Sequence, residues 1–184
     1  MYHRQEIIDF PERKNPRLKN YDYSTPGYYF ITICTNQKKC IFGQPEKWNR
    51  FGKIAMDGFA KMTDHMESVI LDHYIVMPNH VHAIVILTKT DINLSTLIGL
   101  YKSYVSRKIH EIDPELHVWQ SSFYDHVIRN QKQYEKIWKY IENNPLQWEM
   151  DCFYQEDEQS NGSALKSYID GGVMTPPYRK NVNH

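Results

Sequence analysis

Cysteine is scarce in this chain of 184 residues: Cys34, Cys40 and Cys152 stand scattered, with no disulfide or metal-binding spacing. An odd, dispersed set suits free thiols in a reducing compartment and excludes a disulfide framework. Net charge is missing too, because 22 Lys and Arg balance 22 Asp and Glu. Such a chain does not coat duplex DNA by bulk attraction, although a local basic groove stays open. No apolar run approaches the ~20 residues of a membrane span, and the first residues lack the apolar stretch of a signal peptide. A cytoplasmic location with no membrane partner is therefore expected. Internal repeats are also absent.

Apolar residues make up 41% of the chain, and there are fourteen Tyr, seven Phe and four Trp. That suffices for one domain with a core. The expected division is a basic extended lead-in over 1–27, a domain over 28–153 and a flexible tail over 154–184. The lead-in carries Arg4, Arg13, Lys14, Arg17 and Lys19. Asp151, Glu156, Asp157 and Glu158 cluster late. Charge runs of this kind ordinarily form solvated surface. From Gln159 onward the chain is rich in Gly, Ser, Asn and Pro, which favours disorder.

Residues 28–35 are β-branched and aromatic, which predicts a strand. Residues 51–66 carry Ile54, Phe59 and Met62 at helical spacing, and 68–76 read as a second strand. A Met-Pro-Asn turn leads into a third, His80 to Leu87. Asn93 or Ser95 can cap a helix over 94–110, with Leu94, Leu97, Ile98, Tyr101 and Val105 on one face. Residues 123–129 form a fourth strand. Asn130 caps a last helix that Pro145 stops. The first six elements follow the β-α-β-β-α-β order of an α+β, ferredoxin-like (RRM-like) sandwich, and the last helix is an addition. That fold hosts many activities, so side chains must decide the function.

The segment Asn79-His80-Val81-His82-Ala83-Ile84-Val85-Ile86-Leu87 is the first chemical signal. Side chains alternate along a strand, so His80 and His82 point to one side and Val81 to the other. Two same-side imidazoles can hold a divalent metal ion. With nine histidines in the chain, a chance pair is the competing reading, and two ligands do not make a site.

The last helix supplies further candidates. Tyr134, Ile137, Trp138 and Ile141 share one stripe, the expected core face. At about 100° per residue, Tyr140 sits roughly 110° from the middle of that stripe, at the margin of the buried face. Asn144 follows one turn later on the same side. A phenol there is a potential nucleophile, and an amide oxygen can ligate a hard cation. The competing reading is a half-buried Tyr and a helix-terminating Asn.

Taken together, Arg17-Leu18-Lys19-Asn20-Tyr21-Asp22-Tyr23, Tyr29 to Thr35, Tyr74 to His82, Trp119 to Arg129 and Tyr140-Ile141-Glu142-Asn143-Asn144-Pro145 resemble the single-tyrosine HUH transposases. The branch they resemble is the REP-associated tyrosine (IS200-like) transposases, and the resemblance spans roughly Arg13 to Phe153. It implies that His80 and His82 are the two histidines that bind the cation, Mg2+ or Mn2+. It implies that Tyr140 is the nucleophile and that Asn144 completes the metal site, where related enzymes usually carry Gln. It further implies cleavage and rejoining of single-stranded, hairpin-containing DNA through a 5′-phosphotyrosyl intermediate. His126 and Lys136 are candidates to help the phenol ionise, since a free Tyr has a pKa about 10. Arg13, Lys14, Arg17, Lys19, Lys102 and Arg107 are candidate DNA contacts. A homodimer is left open. Two other readings compete: an idle single-strand or hairpin DNA-binding protein of the same fold, and a hydrolase that uses metal-bound water.

Overall fold

The computed structural model describes residues 18, 20–45, 47–64 and 66–150. A four-stranded antiparallel sheet forms its centre. The strands are β1 (Gly27–Cys34), β4 (Val69–Met77), β5 (His80–Leu87) and β6 (Tyr124–Ile128). They lie in the order β4-β5-β1-β6. The helices are α1 (Arg50–Thr63), α2 (Leu94–His110) and α3 (Gln131–Asn143), and a 3-10 segment over Asn144–Met150 continues the last one. This is the expected ferredoxin-like sandwich, with the first and third of the four main strands side by side at the centre.

Two short strands were not anticipated: β2 (Gly43–Gln44) and β3 (Lys47–Trp48), paired with each other. Two residues each are too few to show a period in sequence. The Trp48 Nε1–H donates to the Val76 carbonyl at 2.8 Å, which ties this hairpin to β4.

Strand parity divides the sheet. Tyr29, Ile31 and Ile33 of β1, with Val81, Ala83, Val85 and Leu87 of β5, face α1 and α2. Phe59 of α1 stacks there on Tyr101 of α2, with ring centroids 4.3 Å apart. Gly58 allows the two helices to approach, because a Cβ at that position would come within 2.7 Å of Val105. Burying a side chain such as Phe59 contributes about 1.5–3 kcal/mol. Tyr23, within the segment read as lead-in, also belongs to this core; its hydroxyl donates to the buried Asp125 Oδ2 at 2.8 Å.

The opposite face holds a smaller cluster of Phe30, Ile84, Ile128, Ile137 and Ile141 beneath α3. Among the described residues all three α-helices begin at an asparagine cap. Asn49 accepts from Phe51 and Gly52, Asn93 from Ser95, and Asn130 from Gln133. Among the described residues no helix is long and apolar enough to cross a membrane.

One expectation needs correction. Trp138 is not in the core but 37% exposed. It overhangs the sheet margin and stacks on His73 of β4, centroids 4.3 Å apart and planes 12° apart. The stripe of α3 does face the sheet, but β4 is the edge strand and offers no further strand to cover the ring.

Candidate active site

Because parity is fixed by pairing, His80 and His82 come to lie on the α3 side of the sheet. His80 pairs with Cys34 and Met77, and His82 with Thr32 and Ile75. Both imidazoles are buried, at 0% and 1% exposure. Their Nε2 atoms are 3.0 Å apart. The Nδ1 of His80 meets Asn79 Oδ1 at 2.8 Å, and the Nδ1 of His82 meets Thr32 Oγ1 at 2.8 Å. An oxygen beside each Nδ1 suits the tautomer that keeps its proton there and frees Nε2 as a ligand. Asn79 is held in turn, its Nδ2 donating to the Lys38 carbonyl at 3.0 Å.

Burial keeps both rings uncharged. It drives His80 well below the ordinary histidine value, helped by the neighbouring His82 and by Lys38. Burial likewise pushes His82 down to about 3, partly offset by a hydrogen bond to the Ile31 backbone. Neutral imidazoles at neutral pH are the form that ligates metals.

Helix α3 brings its own groups to the same place. The Tyr140 hydroxyl lies 3.4 Å from His82 Nε2, and the two rings are 5.2 Å apart. Phe30 packs against both, tilted on His82 at 5.3 Å and edge-on to Tyr140 at 6.1 Å. Trp148 of the 3-10 segment lies 5.9 Å from His80. Asn144 is buried, and its Oδ1 has no hydrogen-bond partner among the described residues. A buried amide oxygen without a donor costs free energy, and a cation would satisfy it.

The residues therefore fit a metal. Two nitrogens 3.0 Å apart match adjacent positions around an ion about 2.1 Å from each. The two imidazoles converge as donors, and the buried Asn144 amide oxygen, one turn beyond Tyr140, is the candidate third donor. Among the described residues no three His, Cys, Asp or Glu side chains gather, so no competing cluster of those types exists there.

The other sequence candidates fall elsewhere. Arg13, Lys14, Arg17 and Lys19 lie outside the described residues. Lys102 and Arg107 sit on α2, across the sheet from the imidazoles. Lys102 Nζ donates to the Gln120 and Ser121 carbonyls at 2.5 and 3.2 Å. The Arg107 guanidinium lies over the Tyr104 ring at 5.9 Å. His126 pairs with Phe30 and so shares the α3 side of the sheet. Lys136 is half-buried one turn before Tyr140.

Sequence reasoning missed the supports of the site. Thr32 follows from strand parity only once the register of β1 against β5 is known. Asn79, within the Pro-Asn turn, reads as a turn residue. A third support is the shift of register between Leu71 and His73, a β-bulge with Asp72 as its extra residue. The bulge lets two consecutive residues reach α3. The Tyr134 hydroxyl donates to Asp72 Oδ2 at 2.8 Å, and His73 Nε2 lies 3.2 Å from Glu142. Bulges re-aim side chains in this way beside functional sites. Here the bulge anchors the helix that carries Tyr140.

Residues 23–144, about two thirds of the chain, match the family described as Transposase IS200 like. The chain belongs to the IS200-like transposase family. Membership makes it a DNA-binding, DNA-processing protein of the transposase type. An uncharacterized protein of Haemophilus influenzae (strain Rd) is 30% identical to this family member over 167 residues, which cover 77% of this chain and 93% of that protein. A solved REP-associated tyrosine transposase bound to a REP hairpin has a TM-score of 0.58 at 21% identity, covering 72% of this chain and 73% of that one. That likeness bears out the fold. A candidate transposase from Deinococcus radiodurans scores 0.45 at 17% identity, covering 69% and 95%.

Proposed function

We propose that this IS200-like family member is a metal-dependent nicking and strand-transfer enzyme for single-stranded DNA, with Tyr140 as nucleophile. The observation that carries the reading is the meeting of the Tyr140 hydroxyl with a pair of neutral, convergent imidazoles, 3.4 Å from His82 Nε2. His80, His82 and Asn144 would hold the cation. A mixed nitrogen and oxygen set suits Mn2+ better than Mg2+, which prefers oxygen alone. When bound, the cation supplies Lewis acidity to a non-bridging oxygen of the scissile phosphate.

The chain's own groups do the rest. The Tyr140 oxygen attacks phosphorus, the P–O3′ bond breaks, and the leaving 3′-oxygen takes up a proton. A 5′-phosphotyrosyl enzyme and a free 3′-hydroxyl result. A second 3′-hydroxyl can then attack the same phosphorus and release Tyr140, so that strands are joined and not hydrolysed. The phenol proton needs a base other than His82, whose basicity is low. His126 and Lys136 are the candidates. Asn79 and Thr32 hold the imidazoles in tautomer and orientation, and Phe30 and Trp148 restrict water around them. Hairpin DNA is the proposed substrate, as in the solved REP-associated transposase that was bound to a REP hairpin.

Incubation with Mn2+ and labelled single-stranded hairpins from the neighbourhood of the gene tests this reading. A denaturation-resistant protein–DNA adduct is expected from the wild type and none from Tyr140→Phe. Hairpin binding without an adduct in the wild type would instead identify an idle DNA-binding protein. Cleavage that survives Tyr140→Phe would identify a hydrolase.

A further inference from the structure

At the end of α3 remote from Tyr140 lies a cleft of about 420 Å³. Its walls include Tyr28, Asp72, Ile86, Ile128, Arg129 and Tyr134. Tyr28 is the cross-strand neighbour of both Ile86 and Ile128, so these three share the α3 side of the sheet, where Ile86 and Ile128 form an apolar floor. The Tyr28 ring stands edge-on to Tyr134, 5.9 Å away at 82°, yet remains 44% exposed. It belongs to neither buried cluster. The Tyr134 hydroxyl holds Asp72 Oδ2 at 2.8 Å, and no hydrogen bond to Asp72 Oδ1 occurs among the described residues. The Arg129 backbone is fixed by its N–H bond to Gln133 Oε1 at 3.0 Å, while its guanidinium has no ion pair among those residues.

We propose that this cleft takes one unpaired nucleobase of the single-stranded substrate and so helps to choose where the strand is cut. The proposal rests on the reading of the chain as a single-strand DNA enzyme. An exposed phenol above an apolar floor presents a stacking surface, and such stacking contributes about 1–3 kcal/mol per base. Asp72 only accepts hydrogen bonds, so it favours a base whose exocyclic amine donates to it over thymine, whose N3–H is flanked by two carbonyl oxygens that a carboxylate repels. Arg129 at the rim takes the adjoining phosphate. The placement suits a strand that also reaches Tyr140. Tyr134 and Tyr140 are six residues apart, about 9 Å along the helix. At ~3.4 Å per stacked nucleotide, that is a reach of roughly three nucleotides.

The test measures binding of the full chain, without metal, to single strands of equal length by fluorescence anisotropy. Four labelled probes are used: only adenine, only cytosine, only thymine, and an abasic strand. The wild type is expected to bind adenine and cytosine strands more tightly than thymine, with the abasic strand weakest. Tyr28→Ala weakens the adenine and cytosine strands about tenfold and leaves the abasic strand unchanged, whereas Tyr28→Phe retains wild-type binding. Asp72→Asn keeps an acceptor for Tyr134 and abolishes the preference over thymine. The proposal is overturned if Tyr28→Ala matches the wild type on every base-bearing strand. It is equally overturned if the abasic strand loses as much, or if the wild type binds all four probes alike. Failure of the enzyme reading looks different: no adduct forms, while binding to base-bearing strands still depends on Tyr28.

Discussion

The two faces of the central sheet are built for different ends. The face under α1 and α2 is almost wholly apolar, and the buried carboxylate there, Asp125, receives the Tyr23 hydroxyl. The face under α3 has a smaller apolar cluster and buries His80, His82, His126, Thr32 and Asn144 beside it. Buried polar groups cost stability unless they are paired, and Asn144 Oδ1 lacks a partner among the described residues. One face therefore carries most of the apolar burial, and the other holds chemical groups away from water beside a smaller apolar cluster. Strand alternation makes this possible: β5 gives Val81, Ala83 and Val85 to one purpose and His80 and His82 to the other.

Mutating one residue on each face separates the two roles. His82→Ala should lower metal-dependent cleavage by about 10³-fold or more while the chain stays folded, as read by adduct formation and circular dichroism. Phe59→Ala, on the opposite face, should cost about 3–5 kcal/mol in denaturant unfolding. Its remaining folded fraction should cleave within a few-fold of the wild type. If Phe59→Ala instead abolished cleavage in folded protein, the division between faces would be wrong.

A smaller effect sharpens the account of the support groups. Asn79→Ala removes the oxygen beside His80 Nδ1 and should weaken Mn2+ binding about 10–100-fold in calorimetric titration. An unchanged affinity would reduce Asn79 to a turn residue. The mildest effect is on pH dependence. His82 titrates near 3 in the folded chain and near 6.5 when unfolded. The unfolded state thus binds more protons below about pH 6.5, so the metal-free protein should lose stability as pH falls from about 6.5 towards 3. Replacing both histidines should flatten that slope in denaturant titrations at several pH values. A slope unchanged by the double replacement would mean that the buried imidazoles do not set it.

Much of this was legible in the chain. Alternation placed His80 and His82 together, and the 3.6-residue period put Tyr140 at the margin of the buried stripe, where it is half-exposed. The asparagine caps fixed where the last two helices start. What remained hidden depends on neighbours distant in sequence. Thr32 meets His82 across fifty positions, and Asp72 meets Tyr134 across sixty-two. The bulge at Asp72 breaks the alternation that sequence reading relies on, so Asp72 could not be assigned to the α3 side beside His73. Trp138 misled for a related reason: an apolar stripe does not reveal that its outer margin overhangs an edge strand. Lys102 is a candidate DNA contact by its charge alone, and no pattern in sequence shows that the Gln120 and Ser121 carbonyls engage its ammonium group.

The proposed mechanism requires Tyr140 to become covalently joined to DNA. Mass spectrometry of proteolysed adduct, formed with Mn2+ and a cleaved hairpin substrate, tests it most directly. A nucleotide phosphate is expected on the peptide that contains Tyr140, attached through the tyrosine oxygen to the 5′ end. Attachment at any other residue, or cut DNA with a free 5′-phosphate and an unmodified Tyr140, would contradict it.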